Sequence, residues 1–299
     1  MTEKGTSSPG MSRALFYDRY VRYIFIASAF LLSITILFIV LFISRDGLKT
    51  FTQVKLTEFF FSTEWDPANN KFGAGVFIFG SFAVTLIALL VGGPLGLAAA
   101  VFMAKIAPSW MRAILRPATD LFVAIPSVVY GWIGLSVFVP FIRDKVGGSG
   151  YGLLAAGIIL GIMILPTVIT ISEDSLRSLP KTLEEASLAL GATRWQTIRR
   201  VLIPAAGPGI LTAFILAMAR AIGETMAVQM VIGNLPRLPA SLVSPTATLT
   251  SNIVLEMGNA PYGSVWSNAL FAMALVLLLL SLILILLVRR IARREEEVR

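Results

Sequence analysis

The sequence predicts an all-α integral membrane protein, a bundle of six transmembrane helices. Three observations carry this. Of its 299 residues, 56% are hydrophobic and only 14% charged, where a soluble domain has about 25% charged residues. Mean hydropathy is +0.82, more apolar surface than a chain of this length can bury in its own core, so most of its solvent is lipid. Finally, long uncharged runs recur along the chain.

Arg22 to Arg45, Lys71 to Lys105, Asp120 to Arg143, Lys145 to Glu173 and Glu256 to Arg289 each enclose 22 or more uncharged residues. About 20 residues span the hydrocarbon core as a helix. A sixth apolar stretch is interrupted only by Arg220 and Glu224. The expected spans are about 23–44, 75–104, 118–142, 151–172, 208–233 and 267–288. Residues 1–22 form an N-terminal segment and 291–299 a tail, with the whole membrane domain at 23–290. The first 12 residues, MTEKGTSSPGMS, are expected to lack order. LFISRDG after the first run is a poor cleavage site, so that helix reads as an uncleaved anchor.

Charge placement sets the orientation. With the N-terminus inside, 17 of the 25 Lys and Arg residues fall on inner segments. The positive-inside rule therefore places both termini in the cytoplasm. That asymmetry accounts for the net charge of +8 without nucleic acid. Absence of Cys and His excludes disulfides, thiol chemistry and the usual zinc sites. The outer loops, about 45–74 and 234–266, carry Pro, Asn and Gly and read as short re-entrant or interfacial pieces.

Small residues recur at helical spacing in Gly92…Gly96, Gly157…Gly161 and Ala213, Ala217, Ala221, which permits close backbone approach. Gly92-Gly93-Pro94 reads first as a bend. Pro126 is either a packing kink or the break of a discontinuous helix whose freed backbone lines a path. In the second case Ser127 and Tyr130 would offer hydroxyls. Glu173 and Asp174 read as interfacial, with an inner gate as the alternative.

Two stretches depart from the lipid pattern. In AMARAIGETMAV, residues 217–228, Arg220 and Glu224 are four apart and would share a helix face and pair. Each charge costs roughly 2.5–3.5 kcal/mol at a helix centre. Such a pair is either structural glue or a polar station on a substrate path, where the guanidinium fork suits an oxyanion.

EEASLALGATRWQTIRRVLIP, residues 184–204, is water-facing. Thr182 and Glu185 have the spacing of a capping box. Leu183, Ala186 and Leu190 share a face, and Gly191 suits a left-handed helix end. A second helix would carry Trp195, Ile198 and Leu202, with Arg194, Arg199 and Arg200 elsewhere. Pro204 would mark the return to the membrane. Either this hairpin lies on headgroups or it docks a soluble partner.

Glu185-Ala186-Ser187, then three residues, Gly191, nine residues and Val201-Leu202-Ile203-Pro204 resemble the EAA loop of ABC-transporter permeases, with Ser, Val and Ile as mild departures. Ile125-Pro126-Ser127-Val128-Val129-Tyr130-Gly131 and Arg220-Ala221-Ile222-Gly223-Glu224-Thr225-Met226-Ala227-Val228 resemble the phosphate-specific branch of that family. Phe61-Ser62-Thr63-Glu64-Trp65-Asp66-Pro67 is more like one of that branch's two homologous membrane subunits than the other.

This resemblance implies a type I ABC importer (MetI-like) fold with a coupling helix in the EAA loop, 182–204. It implies a substrate path at Arg220 and Glu224, and ATPase coupling through Glu185, Ala186, Gly191, Ala192 and Pro204. The implied partners are a homologous permease subunit, a cytoplasmic ATPase dimer, an external phosphate-binding protein, phosphate and the bilayer of a bacterial or archaeal cell membrane. No lysine completes a P-loop motif, so ATP and Mg would be used by the ATPase subunit, with no cofactor on this chain. Sulfate or molybdate is the alternative cargo. An ion-coupled secondary transporter and a membrane scaffold are the alternative classes.

Overall fold

A computed structural model describes residues 9–296 of the chain, and the side chains of residues 20–290. The elements in order are α1 (Pro9–Lys49), α2 (Leu56–Phe61), β1 (Trp65–Asp66), β2 (Lys71–Phe72), α3 (Gly75–Val101), α4 (Ser109–Ala124), α5 (Ser127–Ile133), α6 (Val139–Lys145), α7 (Leu153–Arg177), α8 (Lys181–Ala189), α9 (Arg194–Thr197), α10 (Ile203–Ala205), α11 (Gly207–Gly223), α12 (Met226–Val231), α13 (Leu249–Glu256) and α14 (Val265–Glu296). Since α1 begins at Pro9, residues 9–12 are helical, contrary to the expected lack of order. Residues 1–8 and 297–299 lie outside the described residues.

Among the described residues, four helices are long and apolar enough to cross a membrane on their own, and up to six spans result if each bent helix pair counts as one. The first bent pair breaks the expected span 118–142 at Pro126, as the discontinuous-helix alternative has it, and the second lies just ahead of the expected span 208–233. In the first, Ser109–Ala124 meets Ser127–Lys145 at 92°. In the second, Arg194–Ala205 meets Gly207–Gly223 at 68°, so the chain turns at Ala206, two residues after Pro204. The stretch 208–233 is itself interrupted after Gly223, because Glu224 takes up extended backbone before α12 begins.

The centre of the bundle is the α3–α7 pair, its most extensive helix contact. Glycines allow it. A β-carbon on Gly92 would fall inside van der Waals contact of the Gly161 carbonyl oxygen, and one on Gly96 would lie 2.8 Å from Val168 Cβ. The helix assignment runs on through Gly92-Gly93-Pro94, and these glycines serve close packing. Around this pair, Val84, Ala88, Ile159, Leu160, Ile164 and Val168 are buried with Ala217 and Ala221 of α11. Apolar packing of this kind, with small residues at the closest approach, associates helices in lipid.

A smaller layer caps one end. Trp65 of β1 pairs with Phe72 of β2 and sits edge-on to Phe72 and Phe77 at 5.4 and 5.2 Å. Its indole nitrogen donates to Glu256 at 2.9 Å, as does that of Trp266 at 2.7 Å. One carboxylate thus ties the hairpin to α13 and α14. The opposite end of the bundle carries α8.

Candidate functional site

Two places combine exposed or uncompensated polar chemistry with broken helices. The first is built from two breaks. At Ile125-Pro126 the backbone is extended, since proline has no N–H to continue the ladder and restricts the residue before it. The carbonyl that would have accepted that N–H belongs to Phe122, and Tyr130 Oη donates to it at 2.9 Å. Tyr130 is buried and its hydroxyl is engaged in holding this corner. Ser127, the first residue of α5, is half-buried.

At the second break, Glu224 Oε1 accepts hydrogen bonds from the backbone amides of Thr225 at 3.1 Å and Ala227 at 3.5 Å. It serves the orphan donors of α12. Thr225 Oγ1 donates to the Gly223 carbonyl at 3.3 Å and Thr250 Oγ1 to the Glu224 carbonyl at 2.9 Å. Side-chain satisfaction of this kind is what lets irregular backbone persist at membrane depth.

Arg220 and Glu224 do not form the expected i, i+4 pair. The helix ends between them, at Gly223, so they no longer share a face. Arg220 instead lies half-buried in the last turn of α11, its Nη1 donating to Thr167 Oγ1 of α7 at 3.5 Å. Among the described residues it has no ion-pair partner. The halves beyond the two breaks, α5 and α12, pack together, with Gly131 seated against Ala227 and Met230. The fold therefore brings Ser127, Tyr130 and Glu224 onto neighbouring segments. Thr167 was missed in the sequence, although a hydroxyl directly after Pro166 in an apolar run marks a freed backbone site.

The second place is the elbow α8–α10. Pro180 is the N-cap of α8, with φ −58° and ψ 135°. The helix thus starts at Lys181, too early for Thr182 to cap it, and the expected box is absent. A capping box forms instead on α9, where the Gln196 amide donates to Thr193 Oγ1 at 3.3 Å and the Thr193 amide to Gln196 Oε1 at 2.8 Å. Gly191 has φ +83°. The amides of Ala192 and Gly191 donate to the carbonyls of Ser187 at 3.2 Å and Leu188 at 2.9 Å, which is a Schellman ending.

Ser187 Oγ and Thr197 Oγ1, 2.9 Å apart, join the two arms. Serine in place of alanine thus fastens the elbow, a role the motif comparison did not suggest. Ile198 and Leu202 pack under it with Val101 and Leu176. Lys105, just beyond α3, holds Glu184 at 2.9 Å, a pairing no local pattern reveals. On the outer side Leu190 is 89% exposed and Trp195 60%. Glu185 and Ala186 are exposed too. Just before α8, Glu173 is 1% exposed and meets Arg177 at 2.9 Å and Arg116 at 3.9 Å, while Asp174 meets Arg116 at 2.9 Å. Glu173 is thus a buried junction between α4 and α7 at this end of the bundle.

A bundle of broken helices with a solvent-facing elbow at one end defines a membrane transport component. Residues 92–297 match the family model for the binding-protein-dependent transport system inner membrane component, and the chain belongs to that family. It is 51% identical over 263 residues to the probable ABC transporter permease protein YqgH of Bacillus subtilis, covering 86% of this chain and 85% of that protein. It is 34% identical over 267 residues to the phosphate transport system permease protein PstC of Xylella fastidiosa strain Temecula1, covering 81% and 82%. Among solved structures, an inward-facing conformation of the MetNI methionine ABC transporter superposes with a TM-score of 0.54 at 25% identity, covering 73% of this chain and 95% of that one.

Proposed function

We propose that the chain is one of two homologous membrane subunits of an ATP-driven importer of inorganic phosphate. The carrying observation is Arg220: a guanidinium at the α11–α12 break, held by one long hydrogen bond to a neutral hydroxyl. Glue would need a counter-charge close by, and Glu224 is turned onto backbone amides instead. An uncompensated fork at a helix break is suited to a tetrahedral oxyanion. The fold by itself leaves the cargo open, since its structural neighbour carries methionine. The choice of phosphate over sulfate or molybdate is supported by the PstC relatives.

The same reading assigns the elbow to a separate ATPase dimer, which uses ATP and Mg. Leu190 and Trp195 are large apolar side chains facing outward, with Glu185, Ala186, Gly191 and Ala192 beside them, and Pro204 shaping the return. Clustered exposed apolar side chains mark interaction surfaces. The remaining partners are a second permease subunit and an external phosphate-binding protein, in the cell membrane of a bacterium or archaeon. The basic elbow and basic helix ends favour a cytoplasmic placement of α8 and of both termini. This chain would supply passage and lever, with hydrolysis elsewhere.

The test is reconstitution with the ATPase, second permease and binding protein in vesicles, measuring ATP-dependent phosphate uptake. Arg220→Gln should lower uptake by at least about a hundredfold while the complex still assembles. Wild-type uptake in that variant, or full transport by the chain alone without ATP, would overturn the proposal.

A further inference from the structure

Between the end of α3, the start of α4, the end of α7 and α8 lies an open cavity of about 600 Å3. Four cations line it, Lys105, Arg112, Arg177 and Lys181, against two carboxylates, Glu184 and Glu185. Two of the cations are already compensated: Lys105 by Glu184 and Arg177 by Glu173, each at 2.9 Å. The other two are not. Arg112 donates Nε to the Met103 carbonyl at 2.8 Å and Nη2 to the Ala107 carbonyl at 3.2 Å. These neutral acceptors fix the guanidinium without cancelling its charge. Lys181 is exposed at the start of α8 and has no ion pair among the described residues. A rigid fork and a flexible ammonium therefore face one space, outnumbering the one lining carboxylate without an ion pair among the described residues, Glu185, with Leu179 and Leu188 as apolar wall.

We propose that this cavity binds a phosphate group, carried by an anionic phospholipid headgroup or free as inorganic phosphate. Arg matches two oxygens of a tetrahedral anion, and Lys adds a mobile point charge. Basic pockets at the ends of membrane helices are where anionic headgroups seat, and the apolar wall suits the start of an acyl chain. The site is separate from Arg220 and does not depend on what the protein transports. It bears on coupling: an anion here competes with Glu184 for Lys105, loosening the tie between α8 and the end of α3.

Native mass spectrometry of the detergent-purified chain tests this, with phosphatidylglycerol, phosphatidylcholine and inorganic phosphate as separate probes. Phosphatidylglycerol or inorganic phosphate should bind saturably, with Kd raised at least tenfold in Lys181→Gln and in Arg112→Gln, and unchanged in Lys55→Gln at the far end. Retention of phosphatidylglycerol that inorganic phosphate does not displace identifies the lipid as the source. Binding of inorganic phosphate alone identifies the free anion. Dependence on Lys181 distinguishes this cavity from any site at Arg220. Because Lys181 is exposed, its replacement leaves the fold intact, and wild-type affinity for both probes in that variant overturns the proposal. So does equal retention of phosphatidylcholine and phosphatidylglycerol with no binding of phosphate.

Discussion

The hydroxyl of Tyr130 donates a 2.9 Å hydrogen bond to the carbonyl oxygen of Phe122, the acceptor that Pro126 strands. Proline and tyrosine therefore act as a pair, one opening the α4–α5 corner and the other satisfying the carbonyl left behind. In Tyr130→Phe the carbonyl loses its partner at membrane depth. The expected cost is about 1–2 kcal/mol, read as a lower unfolding temperature in detergent. Restoring the N–H with Pro126→Ala in the Tyr130→Phe background should recover stability but not transport, because the corner straightens. Additive losses in the double variant would show that the two residues act independently.

Thr167 is the described residue that holds the Arg220 guanidinium, across from α7. Thr167→Val keeps the side-chain shape and removes the acceptor. Uptake by the reconstituted complex should then show a raised apparent KM for phosphate of about threefold to tenfold with little change in maximal rate. Arg220→Lys keeps the charge and loses the fork, so it should impair uptake more than Thr167→Val and less than Arg220→Gln. Equal uptake in all three variants would remove Arg220 from the path.

Much of this was legible in the sequence, and the parts that were not share a cause. Spans follow from hydropathy, and Gly191 at φ +83° follows from helix-end chemistry, since both are local. The Arg220–Glu224 pair failed because spacing assumes a continuous helix. Nothing in a run of apolar and small residues announces that Glu224 will direct its carboxylate to the amides of Thr225 and Ala227. Thr182 failed as a cap for a similar reason, since Pro180 had already fixed where α8 begins. Lys105 with Glu184, and Trp65 with Glu256, are separated by too much chain for any pattern to join them.

Gly191 offers a test of the elbow. A β-carbon there meets open space, so the cost of Gly191→Ala is conformational, about 1 kcal/mol for a left-handed residue. That variant should still dock the ATPase, with affinity lowered about fivefold. Gly191→Trp adds bulk beside Leu190 and should abolish co-purification of the ATPase while the chain itself stays folded. Ser187→Ala restores the family's second alanine but cuts the 2.9 Å link to Thr197. ATPase docking should survive in it, and the ratio of phosphate moved to ATP hydrolysed should fall. An unchanged ratio would show that the link between the two arms carries no force.

Glu224 separates electrostatics from backbone support. Its Oε1 accepts from two amides at the start of α12, a task that a glutamine side-chain carbonyl at this position performs equally well. Glu224→Gln should therefore leave stability within about 0.5 kcal/mol of wild type, whereas Glu224→Ala, which removes the acceptor, should cost about 1 kcal/mol. What the glutamine variant removes is negative charge next to the break that holds Arg220. A carboxylate there repels a fully deprotonated anion, and that repulsion is relieved when the anion carries a proton to donate. Uptake of sulfate relative to phosphate should accordingly rise in Glu224→Gln and stay low in wild type. Competition uptake in vesicles carrying the full complex measures it directly. If the ratio of sulfate to phosphate uptake is the same in both proteins, Glu224 is a helix cap and discrimination resides with Arg220 or with the external binding protein.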